Sequence, residues 1–172
     1  MKAKFFSIIL IFFFSIIFLI FYKGLKNPNI YEPKVNLEKN IPVFVAKIFS
    51  TNDKINSEKI FTDDKFYLMN IWASWCMPCR EEHVYLMNLS TQKNIEIVGL
   101  NYKDKYENAK NFLNKSNNPY NFIFSDTNGT IAVEWGAYGV PESFLIYKNK
   151  IIKKIIGPID QNSLLEIKKL IQ

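Results

Sequence analysis

The sequence predicts an α/β domain with a central mixed β-sheet flanked by helices, preceded by one N-terminal transmembrane helix. Three observations lead to this prediction. Residues 5–22 form an apolar run without a charge, a block of apolar residues ends just before a Cys-x-x-Cys pair, and strand-like and helix-like segments alternate from there onwards. The chain of 172 residues has room for one domain with a substantial core and little more.

The apolar run FFSIILIFFFSIIFLIFY is long enough to cross a membrane. Residues 5–22 would make a helix of about 27 Å, close to the thickness of a bilayer's hydrocarbon core. The following YKGLKN lacks the small residues of a signal-peptide cleavage site, so we expect an uncleaved anchor at residues 1–22. Its amino terminus and flanking lysines favour a cytoplasmic N-terminus. The expected location is therefore the bacterial inner membrane, single-pass, with the domain in the periplasm, where disulfides form.

A flexible periplasmic tether is predicted over residues 23–40. This segment carries Pro28, Pro33 and several asparagines, and it shows no apolar period. The domain itself is predicted over residues 41–172.

The net charge of +6 does not indicate nucleic-acid binding. Residues 1–26 hold four lysines and no acid, which leaves 18 basic and 16 acidic residues in the rest of the chain. Arg80 is the only arginine, whereas recognition of bases and phosphates relies largely on arginine. We therefore expect no nucleic-acid partner.

The first elements of the domain follow from apolar runs and periods. PVFVAKIF, residues 42–49, and the nearly continuous FYLMNIWAS, residues 66–74, are typical of buried strands. The longer period of residues 77–89 predicts a helix, residues 95–102 a strand, and residues 104–116 a helix.

The second half of the domain continues the alternation. A strand is predicted near residues 122–124, followed by a turn and a short helix that ends at Trp135. Residues 142–147 and 151–156 flank a tight polar turn and predict a hairpin, and an amphipathic helix follows around residues 161–171.

The two cysteines, Cys76 and Cys79, allow three structural interpretations that the sequence disfavours. A disulfide between them closes too short a loop to stabilise the fold much. A structural zinc site needs four ligands, but only His83 and nearby glutamates could join the pair. Attachment of c-type haem needs His directly after the second cysteine, where Arg80 stands.

Redox catalysis is the remaining interpretation of the pair. Cys76 is expected at the N-terminus of a helix, where free backbone N–H groups and the helix dipole favour a thiolate. Pro78 would fix the first turn, and Cys79 would lie one turn further in as the more buried, resolving thiol. Cys76 then attacks a substrate disulfide, and Cys79 resolves the mixed disulfide.

The position of the pair, at the first strand-to-helix junction, is typical of the thioredoxin fold. Four segments carry a narrower resemblance: NIWASWCMPCREEH, VGLNYKD, NNPYNF and GAYGVPESFLI. Over roughly residues 41–172 they resemble the membrane-anchored thiol:disulfide interchange proteins of bacterial cytochrome c biogenesis, the CcmG/DsbE family of thioredoxin-like proteins.

This resemblance implies a periplasmic reductant that keeps the two thiols of the apocytochrome c haem motif, CxxCH, reduced. It implies apocytochrome c or cytochrome c assembly thiol proteins as partners, and a transmembrane electron donor of the DsbD/CcdA type. It implies no bound cofactor beyond the redox-active cysteine pair, and no metal.

The resemblance also assigns supporting roles beside Cys76 and Cys79. Pro141 matches the cis-proline that lies against the disulfide in thioredoxin-like folds, although its sequence context alone leaves an ordinary strand-start proline open. If the bond is cis, the backbone of Val140 can pair with an extended substrate segment. Trp75 is interpreted as a cover on the site with a possible contact to substrate.

Glu82 and Glu142 match acidic residues that the family places near the cysteines. Either could take the proton of Cys79 if burial raised its pKa towards neutrality, and solvated surface carboxylates are the alternative. Asn70 stands where many cytoplasmic thioredoxins have a buried Asp, and it cannot titrate. His83 is expected on the helix surface rather than in catalysis.

Three other functions stay open from the sequence. A general periplasmic thiol-disulfide exchanger would use the same chemistry on other substrates. A thiol peroxidase of related fold is disfavoured because there is no separate resolving cysteine. A tethered assembly adaptor would not need its cysteines.

Overall fold

The computed structural model describes residues 2–26, 40–51, 53–61 and 65–172. The chain divides into two compact units, Met1–Lys34 and Val35–Gln172. The first contains helix α1 (Lys2–Lys26), of which Phe5–Leu25 is long and apolar enough to cross a membrane. The helix thus continues four residues beyond the predicted anchor, and residues 27–39 of the predicted tether lie outside the described residues.

The second unit is an α/β domain in which the predicted elements appear in the predicted order. Together with one further strand, β2 (Lys54–Asn56), the elements are β1 (Val45–Ile48), β3 (Phe66–Trp72), α2 (Met77–Leu89), β4 (Ile95–Tyr102), α3 (Tyr106–Ser116), β5 (Phe122–Asp126), α4 (Thr130–Glu134), β6 (Glu142–Tyr147), β7 (Lys150–Ile156) and α5 (Gln161–Leu170). A short 3-10 helix, Ser57–Lys59, follows β2.

The seven described strands form one mixed sheet in the order β2-β1-β5-β4-β3-β6-β7. β3, β4 and β5 are parallel, and β6 and β7 add to β3 as an antiparallel hairpin. The predicted mixed α/β sheet is therefore confirmed. Strand β2 was not predicted, and it pairs with β1 to extend the other edge of the sheet.

Each face of the sheet carries an apolar cluster, and the side chains of β3 contribute to both. Its side chains alternate, with Leu68 and Trp72 in one cluster and Met69 and Ile71 in the other. Helices α2, α3 and α5 supply buried residues to the first cluster, and α4 to the second. Because both faces are covered, β3 is apolar along nearly its whole length.

The strand register brings distant segments to one edge of the sheet. Ile71 near the end of β3 pairs with Leu100 of the parallel strand β4 and with Glu142 at the start of β6. The loop that follows β3, the loop that follows β4 and the loop that precedes β6 therefore lie side by side. The two cysteines follow β3 at this edge.

Candidate active site

Cys76 is the N-cap residue of α2, and it forms a disulfide with Cys79. Its backbone is extended, at φ −84° and ψ 113°, and its Sγ accepts a hydrogen bond from the Cys79 backbone N–H at 3.1 Å. Pro78 lies in the first turn, where its missing N–H would have had no helical partner. This arrangement directs the positive end of the helix towards the Cys76 sulfur, as predicted.

Both cysteines are buried to almost the same extent. Cys76 is 4% exposed and Cys79 is 3% exposed, so the disulfide form does not show the difference that the sequence analysis expected. Trp75 and Met77 on either side of Cys76 are exposed apolar side chains. Cys76 is thus flanked by exposed apolar surface on both sides.

The loop between β3 and α2 is held by the loop that follows β4. Asp104 accepts hydrogen bonds from the Ser74 backbone N–H at 2.6 Å and from the Ser74 hydroxyl at 2.9 Å. The Trp75 indole N–H donates to the carbonyl of Lys103 at 3.2 Å, and the Arg80 guanidinium donates to the Ser74 carbonyl. The VGLNYKD segment thus orients the cysteine loop, a role that the sequence analysis did not assign to it.

Glu82 lies one turn after Cys79 on the buried face of α2. It is completely buried, and its Oε1 accepts a hydrogen bond from Asn70 Nδ2 while Oε2 accepts one from the Ile159 backbone N–H, each at 2.9 Å. Burial raises the pKa of Glu82 from 4.5 to about 7, although these two hydrogen bonds oppose the rise. The buried alternative for Glu82 is confirmed, and the solvated one is wrong.

Asn70 connects Glu82 to two further buried polar side chains. Its Nδ2 also donates to Ser143 Oγ at 3.0 Å, and its Oδ1 accepts from the Tyr120 hydroxyl at 2.8 Å. Burial and the nearby charge of Glu82 hold the pKa of Tyr120 well above its usual value. Glu82 is therefore the group of this network whose pKa lies near neutrality.

The bond between Val140 and Pro141 is cis, and Glu142 begins β6 directly after it. Glu142 is also buried, which contradicts the solvated interpretation. Its Oε1 accepts hydrogen bonds from the backbone N–H groups of Tyr138 at 2.6 Å and Gly139 at 3.1 Å, and Oε2 pairs with Lys154 Nζ at 2.8 Å. Glu142 thus has its charge balanced and its oxygens occupied, whereas Glu82 has no cation beside it in these contacts.

The prediction for His83 was wrong in one respect. This side chain is buried against Phe112, and its Nε2 lies 3.0 Å from the carbonyl oxygens of Ser116 and Asn117 at the end of α3. Because carbonyl oxygens only accept hydrogen bonds, Nε2 must be the donor. The ring thus links α2 to the C-terminal end of α3.

No group of three or more His, Cys, Asp or Glu side chains suited to a metal ion occurs within residues 2–26, 40–51, 53–61 and 65–172. The expectations of no metal and no bound cofactor stay predictions.

Comparison with known proteins agrees with this geometry. The Redoxin family model matches residues 37–170. The thiol:disulfide interchange protein CycY of Rhizobium leguminosarum bv. viciae is 46% identical over 103 residues, which are 59% of this chain and 55% of that protein. The thiol:disulfide interchange protein DsbE of Escherichia coli K12 is 37% identical over 158 residues, which are 89% of this chain and 84% of that protein.

Among solved structures, the thioredoxin domain of a thiol-disulfide oxidoreductase from Bacteroides vulgatus superposes with a TM-score of 0.66. The match has 16% sequence identity and covers 81% of this chain and all of that domain. At this identity the likeness concerns the fold alone, and the predicted thioredoxin-like fold is confirmed.

Proposed function

We propose a specific activity for this chain, which belongs to the Redoxin family and within it to the DsbE-type thiol:disulfide interchange proteins. The protein is a membrane-tethered reductant of protein disulfides in cytochrome c maturation. The observation that carries the proposal is the Cys76–Cys79 pair at the N-terminus of α2 with the buried carboxyl of Glu82 one turn away.

The reduced pair would act in two steps. The Cys76 thiolate attacks one sulfur of the substrate disulfide, a mixed disulfide forms, and the other substrate sulfur leaves as a thiolate that takes a proton. Cys79 then loses its proton and attacks Cys76 Sγ, which releases the second substrate thiolate. Two electrons pass from the protein to the substrate, and the Cys76–Cys79 disulfide remains.

Glu82 is the best placed group to accept the proton of Cys79. A base works best when its pKa is near the operating pH, and burial brings the pKa of Glu82 to about 7. Glu142 is less suited to this role because its oxygens bind Lys154 and two backbone N–H groups.

The partners and the location are part of the proposal. The resemblance to the CcmG/DsbE family supports apocytochrome c, or thiol proteins that assemble it, as substrate, and a DsbD/CcdA-type membrane protein as electron donor. The apolar stretch Phe5–Leu25 supports a single-pass anchor in the inner membrane, with the domain on the periplasmic side.

Trapping of the mixed disulfide tests the proposal. The Cys79→Ser variant, expressed in its native membrane and quenched with acid, should retain substrate on Cys76 because the resolving thiol is missing. We expect apocytochrome c or a cytochrome c assembly thiol protein in the trapped species. The variant that lacks both cysteines is the control and should retain nothing.

The other outcomes contradict the narrow proposal in different ways. Capture of many unrelated secreted proteins would indicate a general thiol-disulfide exchanger. No capture, together with cytochrome production by the variant without cysteines, would indicate a tethered adaptor. Turnover of peroxide by the purified protein would indicate a thiol peroxidase.

A further inference from the structure

Lys154 of β7 has a buried side chain that contacts the loop before the cis-proline. Its side chain is 3% exposed, and that of its partner Glu142 is 2% exposed. A lysine is rarely buried to this extent, because removal of its charge from water is costly unless the charge is paired and hydrogen-bonded. The contacts of Lys154 therefore indicate what its burial achieves.

Those contacts all involve the cis-proline loop, residues 136–141, or β6 directly after it. Lys154 Nζ lies 2.8 Å from Glu142 Oε2 and donates to the Gly136 carbonyl at 2.9 Å. The ammonium also faces the ring of Tyr138 at 4.3 Å and the ring of Phe144 at 5.3 Å from their centroids. Glu142 in turn accepts the backbone N–H groups of Tyr138 and Gly139.

The ion pair thus fixes the start, the middle and the end of the loop. Lys154 binds Gly136 at its start and the Tyr138 ring at its middle, and Glu142 binds the two N–H groups just before Val140. A buried ion pair often adds little to stability compared with apolar side chains of the same size. The specific consequence of this ion pair is therefore that it fixes the backbone of the loop.

We propose that Lys154 is a positioning residue for protein substrates, which holds the backbone of the cis-proline loop in the shape that an extended substrate segment pairs with. This inference rests on the proposed function, since it concerns binding of the same substrates. Lys154 lies outside the reacting groups, because its contacts are with Glu142, the loop and Phe144 rather than with either cysteine.

Two assays on the full-length protein in detergent separate this role from a general structural one. The first is the single-turnover reduction, by the pre-reduced protein, of a synthetic peptide that carries an oxidised Cys-x-x-Cys-His loop, which needs the substrate-binding surface. The dependence of its rate on peptide concentration gives the KM. The second is the reduction of the Cys76–Cys79 disulfide by dithiothreitol, a small thiol that needs no pairing with the loop. Each variant is measured in both.

Lys154→Met should raise the KM for the peptide by about tenfold, which corresponds to about 1.4 kcal/mol of binding free energy. Its rate of reduction by dithiothreitol should stay as in the wild type. Lys153→Met is the matched control, because the neighbouring Lys153 pairs with Glu166 of α5 instead and should leave both assays unchanged.

Lys154→Met leaves the Glu142 carboxylate buried without its cation, and this could prevent folding. The double variant K154M/E142Q removes both charges and then gives the same measurement, because Gly136 still loses its donor. An unchanged peptide KM in whichever variant folds would overturn the proposal. An equal loss in both assays would also overturn it, since that result would indicate a general disturbance of the domain.

The wild-type protein separates this proposal from the proposed function. Failure of the wild type to reduce the peptide would contradict the proposed function, and the role of Lys154 with it. Reduction by the wild type with an unchanged KM in the variant would contradict only the role of Lys154.

Discussion

At the scale of single residues, the contrast between Glu81 and Glu82 shows how position determines chemistry. The two are the same residue type in successive positions of α2, but Glu81 is exposed and Glu82 is completely buried beside Asn70 and Ile159. Burial raises the pKa of Glu82 to about 7, a value suited to proton transfer near pH 7.

The raised pKa of Glu82 predicts a pH-dependent stability. Between pH 4.5 and about 7 the folded protein keeps the Glu82 proton while the unfolded chain has lost it, so the free energy of unfolding falls as the pH rises through this window. The fall attributable to Glu82 is about 3 kcal/mol, and it ends above the folded-state pKa. Urea unfolding of the oxidised wild type and of Glu82→Gln, measured from pH 4 to pH 8, checks this.

The prediction concerns the difference between the wild type and Glu82→Gln in how the free energy of unfolding depends on pH. The contributions of other titrating groups cancel in this difference. The oxidised form is used so that the cysteines do not titrate. Glu81→Gln, which makes the same substitution at the exposed neighbouring position, is the matched control. If the wild type and Glu82→Gln show the same pH dependence, Glu82 does not keep its proton in the folded state.

At the scale of elements, the sequence predicts those segments whose apolar pattern is bounded on both sides. The helix at 77–89 and the strands at 95–102 and 142–147 have the predicted limits. Strand β2 was not predicted because it has only three residues and lies at the edge of the sheet. Strand β1 is held partly by its pairing with β5, which is far away in the sequence. Short edge strands carry little periodicity of their own.

The same limit applies to the site. The cysteine pair and the N-cap follow from local sequence, whereas the burial of Glu142 depends on Lys154 from the next strand. The role of Asp104 depends on β3 and β4 being neighbours, because only then do their loops meet. Contacts between segments distant in the chain leave no period or spacing in the sequence.

The joining of two loops by Asp104 predicts a coupled loss of stability. Asp104→Asn replaces one acceptor oxygen by an amide group that faces the Ser74 or Lys105 N–H, and it should lower the free energy of unfolding by about 1–3 kcal/mol. Ser74→Ala removes only the hydroxyl bond to Asp104. Urea unfolding of both single variants and the double variant measures the coupling.

We expect the free energy of unfolding to fall less in the double variant than the two single losses add up to. Both substitutions disrupt the same hydrogen bond between Asp104 and the Ser74 hydroxyl, which can be lost only once. Additive losses would contradict the hydrogen bond between the Ser74 hydroxyl and Asp104. Persistent activity would not bear on this prediction, which concerns the free energy of unfolding alone.

At the scale of the whole molecule, the candidate site and the apolar helix lie in different units of the chain. All residues of the candidate site lie in the unit Val35–Gln172, which has an apolar cluster on each face of its sheet. The other unit contributes a helix apolar enough to span a membrane. A domain anchored beside its partners meets them at a higher effective concentration than a free one.

This separation predicts opposite results in two assays of a chain that begins at Val35. With a soluble disulfide peptide its kcat/KM should equal that of the full chain, because the cysteine pair and the described residues of the candidate site lie in the unit Val35–Gln172. In the cell, secreted by an added signal peptide, it should support cytochrome c production less well, because the proposed anchor would no longer hold it at the membrane. Full-length Cys76→Ser should fail in both assays. Loss of peptide reduction by the shortened chain would show that residues 1–34 take part in the chemistry, whereas full cytochrome production would show that anchoring adds nothing to the encounter with the substrate.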